Sequence, residues 1–508
     1  MISKQLNETI HSISLIIHNT GLILYSIGNY YWDILLSGAH EIAMKVILMA
    51  GGSGERLWPI SRRKCPKQLA QLPLPPVTTA HSTERTAGNT AQSTAKNAAT
   101  TTNTNTTNTT IRSTQTANKQ QPSSQTLLAQ TFSRLQHITS EANIFLSIQK
   151  AHAKLTAEVL PYPYPKSNYI EEPIGKDTAA AILLATLTIA RRFPNEDNVL
   201  FFTPADHYIT DQVEFAKTVR LATKVAEISE VLTLIGITPK SAAVAYGYLE
   251  THSIHSTELS RESTAKLERE LSLIAQNLAS PQSNATTSRL HHHSLTSSKP
   301  SATKPLEQLD LPVKIVSKFH EKPDIKQAEK YLQQGNFLWN AGMFFIKTSK
   351  LIEYFNDHAP EHVVIINKYL DLMKKGDEQA AVKNFNDLDK VSFDYAIAEK
   401  VSDIRAVPGT FDWDDMGSLS AFRRIHCTTD ASNNTFLTAP EHILEFATKN
   451  TLAYQSSNNN TPQTIVLNSI NNLTIIVTDD IIYIADNQKG LPTKELLKKL
   501  PPHNDSLR

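Results

Sequence analysis

Met44-Lys45-Val46-Ile47-Leu48-Met49-Ala50-Gly51-Gly52-Ser53-Gly54-Glu55-Arg56-Leu57-Trp58-Pro59 opens as a compact apolar run and breaks into three glycines within four positions. A short apolar run ending in glycines reads as a buried parallel strand entering a tight turn. Glycine and serine let backbone N–H groups approach an anion closely, and a following helical turn adds its partial positive end. Arg56 and, after Pro66, Lys67 place two cations beside the turn, so the stretch predicts a phosphate site rather than a purely structural bend. No Gly-Lys-Ser/Thr follows and the spacing is not G-x-G-x-x-G, which excludes the P-loop and the dinucleotide fingerprint.

Outward from this stretch, strand candidates recur at Ile144–Ser147, Val199–Phe202, Val231–Ile235, Ile315–Phe319 and Gly342–Ile346. Between them lie helical patterns: Leu127 to Leu135, Thr178 to Arg192 with Asp177 as N-cap, Val213 to Ile228, and Lys350 to Lys374 broken near Pro360. Strand and helix in alternation predict an α/β fold with a mostly parallel sheet. After about Thr428 the pattern becomes short β-rich runs, Leu452–Tyr454, Ile465–Asn468, Leu473–Val477 and Ile481–Ala485, closed by a terminal helix near Thr493 to Leu500.

Not all of the 508 residues fit this scheme. Between Thr78 and Thr116 sixteen of thirty-nine residues are Thr, and Ile111 is the only large apolar side chain, too little burial to offset the entropy of ordering. A second stretch, His252 to Asp310, is rich in Ser, Thr, His and Gln, with a lone amphipathic helix over Glu258 to Leu278. Met44 itself looks like the beginning of a protein, which makes 1–43 an extension. The organisation is therefore 1–43, a domain over 44–427 interrupted at about 77–122 and 252–310, and a small β-rich domain over 428–508.

Fifty basic against 49 acidic residues, with no long basic run, leave no electrostatic footprint for nucleic acid. Cys65 and Cys427 are too few for a disulfide framework and fit a reducing, cytoplasmic compartment. Leu15 to Leu24, the most apolar N-terminal run, is interrupted by His18 and Asn19 and far short of the roughly 20 residues a membrane span needs. His291-His292-His293 lies in the Ser/Thr-rich stretch and reads as solvated loop, not a metal site.

Further motifs follow in order: Glu172-Pro173-Ile174-Gly175-Lys176-Asp177-Thr178-Ala179, Pro204-Ala205-Asp206-His207, Tyr246-Gly247-Tyr248, Phe319-His320-Glu321-Lys322-Pro323, Leu338-Trp339-Asn340-Ala341-Gly342-Met343, Phe393-Asp394-Tyr395-Ala396 and Trp413-Asp414-Asp415-Met416-Gly417-Ser418. Together with the glycine-rich segment they resemble the sugar-1-phosphate nucleotidylyltransferases, in particular the mannose-1-phosphate guanylyltransferase branch, over most of Met44 to Leu500 outside the inserts. The resemblance implies a Rossmann-like nucleotidylyltransferase domain with a mostly parallel sheet, plus a small C-terminal β-rich, β-helix-like domain. It also implies transfer of GMP from GTP to mannose 1-phosphate with Mg2+, and leaves a homo-oligomer open.

Site roles follow from the same resemblance. Gly51, Gly52, Ser53, Gly54, Glu172 and Gly175 would take the nucleotide, with Glu172 reading guanine and Glu171 as its rival. Arg56 and Lys67 would draw charge onto the leaving pyrophosphate. Gly247, Glu321, Lys322 and Asn340 would take the sugar phosphate, and Asp206 and Asp415 the metal. Lys176-Asp177 departs from the usual Arg-Asn, and Glu55 from a common Thr. Another hexose 1-phosphate, another NTP, or a silent sugar-nucleotide-binding homologue are the alternatives.

Overall fold

The computed structural model describes residues 44–52, 54–75, 124–253, 313–426, 432–456, 463–490, 492–501, 504 and 507. Ser53, Cys427, Leu15 to Leu24, the Thr-rich stretch, the helix over Glu258 to Leu278 and the His291 run lie outside them. Among the described residues no helix is long and apolar enough to cross a membrane. Those within Met1–Leu72, Gln125–Ala421 and Leu491–Arg508 form one compact unit, and those within Pro73–Ser124 and Phe422–Gly490 a second.

The larger unit is built on a nine-stranded sheet. Its strands are β1 (Met44–Met49), β2 (Ile144–Gln149), β3 (Tyr169–Glu172), β4 (Val199–Pro204), β5 (Leu232–Ile237), β6 (Tyr248–Ser253), β7 (Lys314–His320), β8 (Phe337–Lys347) and β9 (Ile404–Gly409), in spatial order β3-β2-β1-β4-β8-β5-β9-β7-β6. The block β3 to β4 is parallel throughout. Strand β8 then runs antiparallel to both β4 and β5, β9 is parallel to β5, and β7 is antiparallel to β9 and β6. Seven strands thus point one way and only β7 and β8 oppose them.

Both faces of the sheet are buried, and the two-residue period shows it. Met44, Val46 and Leu48 of β1 and Val199 and Phe201 of β4 enter one apolar cluster; Ile47, Leu200 and Phe202 enter the other. Helix α1 (Leu127–Leu135) and helix α3 (Gln212–Ser229) cover the first face, while α2 (Thr178–Arg192), α4 (Thr348–His358) and α5 (Pro360–Lys374) cover the second. Each start is marked chemically. Thr126, Asp177 and Asp211 cap α1, α2 and α3 through their side chains, and Pro360 supplies the first residue of α5 where its missing N–H costs nothing.

The smaller unit is a coil of short parallel strands. Thr435 pairs with Leu452 and Leu452 with Thr474, while Ile443 pairs with Ile465. Two residues before each of the first three stand Asn433, Asn450 and Asn472, all left-handed at φ 53°, 48° and 67°. Asn is the non-glycine residue that tolerates this conformation best, and stacking it repeats the corner. Asn433 Nδ2 donates to Asn450 Oδ1 at 3.0 Å, and Asn450 Nδ2 donates in turn to Asn472 Oδ1. The terminal helix, Thr493–Lys499, does not close this coil as its place in the sequence suggests. It groups with the larger unit and packs against the Glu55–Leu57 turn, and Trp58 Nε1 donates to the Leu507 carbonyl at 2.7 Å.

Candidate active site

Strand β1 ends between β2 and β4, so its turn emerges at the carboxyl edge of the parallel block, where such sheets bind ligands. Gln68 Nε2 holds the carbonyls of Ala50 at 2.7 Å and Gly52 at 3.2 Å, and Gln149 Nε2 holds that of Gly51 at 2.5 Å. In a trans peptide the next N–H points opposite the carbonyl, so fixing these oxygens turns the N–H groups of Gly51 and Gly52 the other way. Gly54 closes the turn at φ 63°, where a Cβ would lie 2.1 Å from the Lys67 nitrogen. Only glycine fits there. At Gly52 an added Cβ meets nothing within 4 Å.

Lys67 is the junction of the site. Buried to 5% exposure, its ammonium lies 2.7 Å from Asp206 Oδ2 and donates to the Asp415 carbonyl at 2.6 Å. The two Asp segments are themselves stitched together, Tyr208 pairing with Asp414 and Ile209 with Trp413. Burial pushes the Asp206 carboxyl up, but Lys67, His207 and Arg56 outweigh this and hold it below its ordinary value. Asp415 folds back on its own backbone, accepting from Gly417 N at 2.9 Å and from the Tyr246 hydroxyl at 3.0 Å. Arg56 is exposed on the Glu55–Leu57 turn, and neighbouring Glu55 pairs with Arg63 at 2.9 Å. Among the described residues no group of three or more His, Cys, Asp or Glu forms a ready-made cation cage.

On the other side of the turn, Glu172 ends β3 with 3% exposure, its Oε1 3.0 Å from where a Gly51 Cβ would be. Burial first, then Asp177, raise its carboxyl to about 8, against a backbone hydrogen bond from Lys176. Glu171 is exposed. A Cβ on Gly175 would meet Gln149 Nε2 at 2.7 Å, so this glycine flanks the same amide that holds Gly51. Lys176 is turned elsewhere: its ammonium donates to the carbonyls of Asn386 and Leu388 at 2.7 and 2.8 Å. Asp177 sits at φ 71°, ψ −178°, a region almost reserved for glycine, and caps α2 through Thr178 N at 2.8 Å.

Gly247, Glu321 and Asn340 come together on the mixed half of the sheet. A Cβ on Gly247 would lie 2.7 Å from Glu321 Oε2, and Asn340 N donates to the Gly247 carbonyl at 2.9 Å. Lys322 is exposed, at φ 43°, and its ammonium pairs with Glu321 Oε1. Sequence reasoning gave Asp394 no role, yet its Oδ1 accepts from Asn340 Nδ2 at 2.7 Å. It also passed over Tyr246, which joins this group to Asp415, and Arg134. The latter is 2% exposed, donates to Thr131 Oγ1 at 2.9 Å and the Ile209 carbonyl at 3.4 Å, and leaves its Nε without a partner. The pattern T-x-x-R on α1 was the available signal.

The family described as nucleotidyl transferase matches residues 45–261 and 308–432. Mannose-1-phosphate guanylyltransferase of Escherichia coli K12 is 23% identical over 460 residues, 89% of this chain and 73% of that protein. Xanthan biosynthesis protein XanB of Xanthomonas campestris is 25% identical over 463 residues, 89% of this chain and 72% of that one. Among solved structures, one described as mannose-1-phosphate geranyltransferase from Thermus thermophilus superposes with a TM-score of 0.59 at 20% identity, covering 90% of this chain and 99% of its own. Its likeness bears on the fold. The family match spans both halves of the sheet that carry the cluster around Lys67, and the chain belongs to the nucleotidyl transferase family and is a nucleotidyltransferase.

Proposed function

We propose that the chain transfers GMP from GTP to α-D-mannose 1-phosphate, giving GDP-mannose and pyrophosphate. The observation that carries the reading is Lys67, which ties the glycine-rich turn to both Asp206 and Asp415; the relatives' names supply the substrate class. The sugar phosphate is already nucleophilic at neutral pH, so no strong base is needed. One of its oxygens attacks the α-phosphorus in line, the bond from that phosphorus to the oxygen bridging to the β-phosphorus breaks, and pyrophosphate leaves with the electron pair. The N–H groups of Gly51 and Gly52 with Arg56 and Lys67 would cradle the triphosphate and take up the leaving charge.

Asp206 and Asp415 offer an all-oxygen, partly open donor pair, which suits Mg2+ because that ion keeps waters and shares its shell with phosphates. When bound, it would neutralise charge on the phosphates. Glu172 would accept from guanine N1–H and the exocyclic amino group, a pairing adenine cannot offer, on giving up the proton that burial holds on it up to about pH 8 in the free chain. Gly247, Glu321, Asn340 and Lys322 would hold the sugar phosphate.

Measuring pyrophosphate release with each NTP against mannose 1-phosphate and glucose 1-phosphate tests the reading. GTP with mannose 1-phosphate should exceed every other pair in kcat/KM, and a different best pair would replace the assignment.

A further inference from the structure

Asp394 opens a π-helical turn, Asp394–Ala398, whose residues Ala396, Ile397 and Ala398 are buried, as is Phe393 before it. Such turns displace one side chain from its helical row and recur at functional sites. Here the residue that opens the turn is a half-buried acid, bonded to the Asn340 amide and paired to no cation among the described residues.

Its partner is fixed with equal care. Asn340 Oδ1 accepts from Gly342 N at 3.0 Å, which settles the amide's orientation and leaves Nδ2 facing Asp394. Strand β8 shifts register between Asn340 and Phe344, and Gly342 sits at φ 65°, so the strand bulges at this point. Three irregularities therefore converge: a bulge, a π-helical turn, and Gly247, where a side chain would collide with Glu321.

What the spot would bind follows from its charges. Burial, then Glu321, then Glu399 push the Asp394 carboxyl up to about 6, against its own N–H and the Asn340 amide. Two carboxylates left near one another raise each other's energy in the free protein. A phosphate would worsen that repulsion; a polyol donating its hydroxyls would relieve it. Lys322, the nearest cation on that motif, is already paired with Glu321.

We propose that Asp394 is a specificity-determining residue for the sugar, accepting a ring hydroxyl beside Glu321 while its bond to Asn340 sets that amide to donate to a neighbouring hydroxyl. The inference rests on the sugar-phosphate reading above and adds a residue to it. A purely structural Asp394 would lower stability when replaced, whereas a reading residue held beside Glu321 would not.

The test uses the full chain, comparing wild type with Asp394→Asn and Asp394→Ala. With GTP saturating, KM for mannose 1-phosphate should rise about ten- to hundredfold, the KM for GTP should hold within about threefold, and Tm should stay level or rise. Deoxy analogues of the sugar phosphate, each lacking one hydroxyl, sharpen this: one analogue should bind the wild type poorly yet show no further loss with Asp394→Asn. If wild type turns over mannose 1-phosphate but every analogue loses equally in both proteins, or if Tm falls and both KM values rise together, Asp394 is structural and the proposal fails. If Asp394→Ala does not fold, Asp394→Asn and the analogue series still decide. A wild-type chain that releases no pyrophosphate with any sugar phosphate overturns the transfer reading itself, and the inference with it.

Discussion

The parallel block β3-β2-β1-β4 and the mixed block β8-β5-β9-β7-β6 build their parts of the site by different means. In the parallel block the groups proposed for the phosphates are mostly backbone, in a glycine turn whose carbonyls are pinned by Gln68 and Gln149. In the mixed block the groups proposed for the sugar are side chains, Glu321, Asn340 and Asp394, brought together by a bulge and a π-helical turn. Backbone N–H groups suit an anion of any identity, whereas carboxylates and an amide can discriminate among hydroxyls. Lys67, Asp206 and Asp415 stand where the two meet.

The largest effect should come from breaking that meeting point. Asp206→Asn or Asp415→Asn keeps shape and removes a charge, and turnover should fall at least about a hundredfold, with thermal unfolding little changed for Asp415→Asn and lowered for Asp206→Asn, which strips the buried Lys67 ammonium of its counter-charge; near-normal rates for both at saturating Mg2+ would refute their assignment. Next, Gly54→Ala forces both a positive φ and a clash with the Lys67 backbone, and should cost about 2–4 kcal/mol in denaturant unfolding. Gly52→Ala, with open space around it, should stay within about 0.5 kcal/mol and act only through KM for GTP. Equal losses in the two would mean the turn is not shaped as described.

Glu172→Gln puts a donor against a guanine N–H, so preference for GTP over ATP should drop roughly 10- to 100-fold, while the sugar-phosphate KM stays put; a change in the latter would couple the two blocks. The smallest effect is on stability. Burial raises the Glu172 carboxyl from 4.5 to about 8, so the folded chain holds this proton more tightly than the unfolded one. That stabilisation is complete below about pH 4.5 and is lost as pH rises through about 8. Wild-type Tm should therefore decline across this window more than that of Glu172→Gln, and identical profiles would place the group in water.

Much of the parallel block was legible because its signals are local. Asp177 before an apolar, alanine-rich run marks α2, seen over Thr178–Arg192, and Pro360 divides α4 from α5 as read. Strands β3, β6 and β9 were missed: Tyr169–Glu172 and Tyr248–Ser253 carry too many polar residues, and Ile404–Gly409 contains Arg405 and Pro408, which propensity counts against a strand. The site residues of the glycine turn lie within a few positions of one another. The Asn340–Asp394 bond does not, and nothing in either motif states that the amide of one needs the carboxylate of the other. Glu171 and Glu172 are alike as letters; only the strand's alternation, one outward and one against Gly51, separates them.

Strand β8 has a consequence for how the chain comes together during synthesis. It lies between β4 and β5 in the sheet yet is made after both, and after β6 and β7. Until Phe337–Lys347 has left the ribosome, one edge of β4 and both edges of β5, whose other neighbour β9 comes later still, have no partner, and the growing chain carries unfinished edges of the kind that invite misassembly. The Thr-rich stretch between β1 and β2 adds little to this delay, since each doubling of a loop costs only about 0.6 kcal/mol of closure entropy. The coil near the C-terminus has no such wait. Thr435 meets Leu452 and Leu452 meets Thr474 as soon as each is made, so its turns can zip in order while the sheet has had to wait for its middle.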